Sequence, residues 1–170
     1  MELILPAIEL KQAALDFKQE HLDYGETHIH GSGGLIQADD YEKWLERINA
    51  HITTPQPGFL PIAVFFGVVD GRIVGIIDLR LTYDLNDERL KHGGHIAATV
   101  RPSERRKGYG AKMLALALEK CRELNIDKVL ITCDKNNMGS ANLILKSGGV
   151  FENEIFKDDG NVTQRYWISL

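Results

Sequence analysis

Cysteine is scarce in this sequence. Only Cys121 and Cys133 are present, without the paired Cys or His spacing that a zinc site or a redox dithiol needs, so both are expected as reduced thiols. Long apolar runs are missing as well. No stretch approaches the ~20 apolar residues of a membrane-spanning helix, and no basic region precedes an apolar segment at the N-terminus, so the expectation is a cytoplasmic protein with no membrane partner. An excess of positive charge is also lacking. Lys and Arg number 20 against 24 Asp and Glu, a net charge of −4, which argues against broad electrostatic attachment to nucleic acid. There is no fixed-period repeat and no low-complexity tract. What remains is a composition of 44% hydrophobic and 26% charged residues over 170 positions, enough for one domain spanning 1–170 with its own core.

The patterning alternates between strand-like and helix-like stretches. Leu3–Leu5 reads as a short edge strand, and Leu10, Ala14, Phe17 and Leu22 give a helical stripe over Ile8–Leu22. From Asp23 to Gln37 the chain turns polar and glycine-rich, the signature of a flexible loop. His28 and His30 lie there with no nearby third ligand, so they read as solvent-facing or substrate-lining. Asp39 or Asp40 caps a second helix carrying Tyr41, Trp44, Leu45, Ile48 and Ile52, expected to end before Thr53. Ile62–Val69 and Ile73–Leu81 flank the turn Asp70-Gly71 as an antiparallel hairpin. A polar connector, Thr82–Lys91, leads to a further strand at His95–Val100, stopped by Pro102. Helical spacing returns over Gly110–Leu124, with Leu114, Leu118, Cys121 and Asn125 along one line. The continuous apolar run Lys128–Cys133 follows as a central strand parallel to the one before the helix. A last helix, capped by Asn136 or Asn137, ends at Gly148-Gly149, and Val150–Phe156 and Val162–Leu170 form a final hairpin around Asp158–Asn161.

The stretch Val100–Ala111, VRPSERRKGYGA, joins a strand to a helix through a basic turn containing Gly108 and Gly110. Glycines allow close backbone approach, and the helix start offers unpaired N–H groups and a positive dipole end, so the turn suits an anionic phosphate. Neither common nucleotide fingerprint fits. Met113 stands where a dinucleotide loop needs a third glycine, and no Lys-Ser/Thr pair follows Gly110 as a Walker loop requires. The sequence present is R-x-x-G-x-G, at Arg105, Gly108 and Gly110, directly after Val-x-Pro. Downstream lies N-x-x-S, at Asn137 and Ser140, on a helix ending K-x-G at Lys146 and Gly148.

In these motifs and in element order over almost its whole length, the chain resembles the GNAT superfamily of acyl-CoA-dependent N-acetyltransferases. The resemblance implies an α/β (α+β) fold: a mixed, mostly antiparallel twisted sheet with one parallel central pair, flanked by about four helices. It implies acetyl-CoA as co-substrate, without a metal. The pyrophosphate would be wrapped by the backbone of the turn, and the cofactor-binding residues would be Ala98, Val100, Arg105, Arg106, Lys107, Gly108, Tyr109, Gly110, Ala111, Asn137 and Ser140. Ala98–Val100 would offer a backbone N–H to the thioester carbonyl, and Asn137 would bond the pantetheine arm or its phosphate.

The implied reaction moves an acetyl group to a primary amine in a ternary complex, and an amine with a reference pKa of about 10.4 must first lose a proton. His95 is the base candidate by pKa and position, with a buried structural histidine as the alternative that strand alternation favours. Asp78 is a second candidate. Many family members carry a Tyr four residues before the K-x-G glycine as general acid, and here that position is Ile144. Ser140 either donates a proton or caps the helix. The family's layout would line the acceptor site with Glu26, His28, His30, Trp44 and Gln164–Trp167; the acceptor itself is not specified, and a homodimer is left open. The missing Tyr also raises a rival reading, a non-catalytic acyl-CoA-binding sensor.

Overall fold

The computed structural model describes residues 1–82 and 84–170; Tyr83, inside the expected polar connector, lies outside the described residues. Strand β1 (Glu2–Ile4), a single 3-10 turn at Ile8–Leu10, and helices α1 (Lys11–Asp23) and α2 (Tyr41–Thr53) come first. The hairpin β2 (Ile62–Val69) and β3 (Arg72–Arg80) follows, then β4 (Ile96–Val100), α3 (Tyr109–Glu123), β5 (Lys128–Asp134), α4 (Met138–Lys146), β6 (Val150–Phe156) and β7 (Val162–Ser169). All seven strands join one sheet in the order β1-β2-β3-β4-β5-β7-β6. Every neighbouring pair is antiparallel except β4 and β5, which are parallel because α3 carries the chain back across the sheet between them.

Strand alternation divides the core in two. On β3 all residues from Ile73 to Leu79 are buried, but Ile76 packs with Phe17, Trp44 and Phe66 under α1 and α2. Its neighbour Ile77 packs with Met113, Leu114 and Ile131 under α3 and α4. A strand covered on both faces is largely apolar, as Ile73–Leu79 is except for the buried Asp78. Asp40, rather than Asp39, caps α2 by accepting from the Lys43 N–H at 3.0 Å, and Asn137, rather than Asn136, caps α4 through the Ser140 N–H at 3.0 Å.

Three expectations need correction. Helix α2 runs through Thr53, because the stop is Pro55, which forces only Thr54 out of helical geometry (φ −132°, ψ 70°). Asn125 does not continue the buried line of α3; it is exposed in the left-handed region at φ 56° and ends the helix. The glycine-rich connector between α1 and α2 is packed rather than loose. Ile29, Leu35 and Ile36 are buried in the α1/α2 core, and Trp44 Nε1 donates to the Ser32 carbonyl at 3.0 Å. Gly31, at φ 78°, lies so close to β4 that a Cβ would sit 2.2 Å from the Ala97 carbonyl oxygen. Burial of the three apolar side chains offsets the ordering of the polar backbone around them.

Candidate active site

The parallel strands part almost as soon as they meet. β4 and β5 pair only at Ile96 and Ile131, while β4 stays paired with β3 up to Val100 and β5 with β7 up to Asp134. The bond from Arg101 N to Val74 O (2.9 Å) fixes the phase of β4 from Ala97 onward: odd-numbered residues turn their peptide groups to β3, while His95 before them is irregular, its carbonyl accepting from Arg80 N (2.7 Å) and its N–H turned to β5. Even-numbered ones face β5. Beyond Ile96, therefore, the peptide groups of Ala98 and the N–H of Val100 open into the gap, where a chain bearing amides would find strand-like partners.

His95 sits where the gap closes. It is 1% exposed; its backbone N–H donates to Leu130 O at 2.7 Å, and its Nδ1 accepts the Leu130 N–H at 2.9 Å. The ring thus stands in for a missing strand carbonyl, and protonating Nδ1 would break that bond. Its Nε2 is buried without a hydrogen-bond partner among the described residues, and burial pushes the imidazole down to about 4. It lies against Trp167, with ring centroids 6.2 Å apart, on the sheet face opposite α3.

At the open end of the gap, Arg101–Gly108 turns sharply into α3. Arg106 (φ 62°) and Gly108 (φ 84°) are both left-handed, and Gly108, the N-cap, supplies no side chain to the helix start. The first helical bond is Lys112 N to Gly108 O, which leaves the N–H groups of Tyr109, Gly110 and Ala111 free for an anion. A Cβ on Gly108 would meet nothing within 4 Å, and one on Gly110 would make only ordinary contact with Leu143 and Val100. Space at Gly108 is open. Arg106 and Lys107 are exposed, Lys107 pairing with Glu104 at 2.9 Å.

Arg105 behaves differently. Its Nε donates to Val100 O at 3.1 Å, its Nη2 donates to Glu26 at 2.7 Å, and its guanidinium lies over the Tyr24 ring. Glu26 in turn accepts from His21 Nδ1 at 2.6 Å. Arg101, 6% exposed, is held by Glu20 at 2.5 Å, Ile73 O and Asp16 O, and Glu20 also accepts the Ser103 N–H at 2.9 Å. Burial works against the Glu20 carboxylate, yet these bonds hold it down to about 2. Sequence reasoning missed this bracing, because the pairs that tie the turn to α1 and the segment after it are 79 to 85 residues apart and leave no local pattern.

On the α1/α2 face of β3, beside β4 and away from the gap, Asp78 is 5% exposed, accepts the Ala97 N–H at 3.2 Å and lies 3.9 Å from Arg80; burial raises its carboxyl. His30 is exposed beside it, its carbonyl held by Thr99 Oγ1 at 2.9 Å. Trp44, expected to line an acceptor, is instead buried in the core at 1% exposure. A groove of about 290 Å³, lined by Leu85, Glu88, Lys91, Asn153 and Arg165 among others, flanks the same side. On the other face Asn137 is spent partly as a cap, Ser140 has its hydroxyl against Cys133, and Ile144 is buried. The nearest phenol in that cluster is Tyr166, which donates to Gln164 at 2.8 Å. Both cysteines are free. No group of three or more His, Cys, Asp or Glu among the described residues is placed to hold a metal, and no helix there is long and apolar enough to cross a membrane.

A mixed sheet whose parallel central strands part beneath the N-terminus of α3 defines the class of this α/β protein. The chain belongs to the acetyltransferase (GNAT) family, whose family model matches residues 21–148, well over half its length. No curated protein sequence matches it significantly. Among solved structures it is similar to a variant of the spermidine N-acetyltransferase SpeG from Vibrio cholerae (13% identity, 99% of this chain and 95% of that one, TM-score 0.69). It is also similar to RimL, a ribosomal alpha-N-protein acetyltransferase in complex with coenzyme A (13%, 99% and 93%, 0.72). A third is yncA, a putative acetyltransferase from Salmonella typhimurium with acetyl-CoA (14%, 99% and 93%, 0.66). These likenesses establish the GNAT fold.

Proposed function

We propose that this chain binds acetyl-CoA in the gap between β4 and β5 and transfers the acetyl group directly to a primary amine. The observation that carries this reading is the gap-facing peptide groups of Ala98 and the N–H of Val100, leading to the free N–H groups of Tyr109, Gly110 and Ala111. A pantetheine arm has amides for the first and a pyrophosphate for the second. Arg106 and Lys107 add charge and backbone N–H groups at the phosphate end. Asn137 and Ser140 border the arm from α4, and Arg105 shapes the turn from behind.

In the reaction the amine nitrogen attacks the thioester carbonyl, its C–N bond forms, and the carbonyl oxygen becomes an oxyanion that the gap-facing Ala98 N–H stabilises. The C–S bond then breaks. The thiolate leaves as coenzyme A, a fair leaving group because its thiol has a reference pKa of about 8.5, so the absence of a phenol at position 144 does not block departure. We assign the base to Asp78 rather than His95. A carboxyl raised by burial is better matched to accepting a proton near neutral pH than an ordinary one, and it faces Ala97 on the acceptor side. His95 has its Nδ1 committed and its Nε2 enclosed, which suits a clasp.

The test is coenzyme A thiol release from acetyl-CoA across a panel of polyamines, amino acids and peptide amino termini. Release with at least one amine, reduced about a hundredfold in Asp78→Asn, is expected. Tight acetyl-CoA binding with no release for any amine would favour the sensor, and an Asp78→Asn variant with parental rate and pH profile would remove Asp78 as base.

A further inference from the structure

Two carboxylates at the end of α1 grip the coenzyme turn. Glu20 takes Arg101 and the Ser103 N–H, and Glu26, three residues past α1, takes Arg105 at 2.7 Å. Glu26 is the more informative, because it belongs to the connector that runs on through His28, His30 and Gly31 along the acceptor side of β4. One of its oxygens bonds the arginine of the coenzyme motif, and the other receives His21 Nδ1 at 2.6 Å. Burial lowers the His21 imidazole, so the ring is neutral with its proton on Nδ1, and the charge on Glu26 is left to Arg105. That arginine also holds Val100 O, on the strand whose N–H groups face the gap. The connector is fastened to the same strand a second time, at Thr99 Oγ1 to His30 O.

Resting on the coenzyme reading above, we propose that Glu26 is a positioning residue that couples the two substrate sites: through Arg105 it transmits occupancy of the coenzyme turn to the connector at 24–37. Ligand at the turn fixes the Arg101–Gly108 backbone, which fixes Arg105. Arg105 fixes Glu26, and with it the segment that places His28 and His30 over Ala97 and Thr99. Reciprocity requires that an ordered connector favour the coenzyme in equal measure. The network of charged side chains is a chain of hydrogen bonds with one buried terminus, His21, so it moves as a unit.

The experiment is backbone hydrogen exchange of the whole chain with and without saturating acetyl-CoA, together with its dissociation constant, for the wild type, Glu26→Gln, Arg105→Gln and the control Glu42→Gln. Glu42 pairs with Lys11 at the exposed surface and touches neither Arg105 nor Glu26 among the described residues, so it reports charge loss. In the wild type and the control, acetyl-CoA should slow exchange at 101–111 and at 24–37. In Glu26→Gln and Arg105→Gln, protection at 101–111 should remain, protection at 24–37 should be lost, and affinity should fall about tenfold. Ligand-dependent protection of 24–37 that survives in Glu26→Gln overturns the coupling. Protection confined to 101–111 in the wild type also overturns it while leaving the coenzyme assignment standing, and no protection anywhere removes both. Because each variant is compared with its own ligand-free state, a general loss of stability does not imitate the expected result.

Discussion

His95 can be read two ways from its place in the sequence, and its surroundings favour the structural reading. Its position on the strand below the expected thioester invites a base, but the ring has been recruited as a backbone substitute at the seam between β4 and β5. The consequence for stability has a definite sign. Held near 4 in the folded chain against an ordinary 6.5, the ring stays neutral while the unfolded chain takes up a proton, so stability falls as pH drops from 6.5 towards 4 and this loss levels off below. The full effect is about 3 kcal/mol. Urea unfolding at pH 7 and pH 5 should show it in the parent and not in His95→Asn, whose Oδ1 can still accept the Leu130 N–H. That variant should keep its acetyl transfer, whereas loss of transfer with an intact fold would return His95 to the chemistry. A second residue-scale expectation concerns Gly110. Its added Cβ contacts are ordinary, so Gly110→Val should melt within a few degrees of the parent yet bind acetyl-CoA at least about tenfold more weakly, measured by calorimetry. Equal affinity would exclude the pyrophosphate from this turn.

At the scale of elements, the turn before α3 and the strands around it were legible because local chemistry dictates them. Ile62–Val69 is β-branched and aromatic, Asp70-Gly71 closes a tight hairpin, and the apolar run from Lys128 can only be a covered strand. The parallel pairing of β4 with β5 followed from the helix between them. What could not be read was anything decided across the fold. The connector after α1 is polar and glycine-rich in sequence, yet Ile29, Leu35 and Ile36 pin it to the core, and Trp44, with its apolar body and one N–H, turned inward because Ser32 O met it there. Arg105 belongs to the R-x-x-G-x-G turn; where its side chain goes depends on Glu26, 79 residues away. Strand alternation did announce that His95 points away from Ile96, and the buried ring beside Trp167 is the result.

For the whole molecule, the divergence of β4 from β5 means that one sheet is stitched together at its centre by one ladder pair, Ile96 with Ile131, and the two His95–Leu130 bonds beside it. Strands β1 to β4 with α1 and α2 lie on one side of that stitch, and β5 to β7 with α4 on the other. A ligand that lays its amides along Ala98 and Val100 would supply the absent rungs, behaving as an eighth strand that happens to be a small molecule. The protein then carries, in its unliganded form, a line along which its central strands part, and such a ligand would be the thread that closes it. Acetyl-CoA at a hundred times its dissociation constant should add about 2.7 kcal/mol to unfolding. It should also slow amide exchange in β4 and β5 on both flanks of the seam together. A gain in melting temperature with exchange altered on one flank alone would mean that the ligand rests against the sheet without joining it.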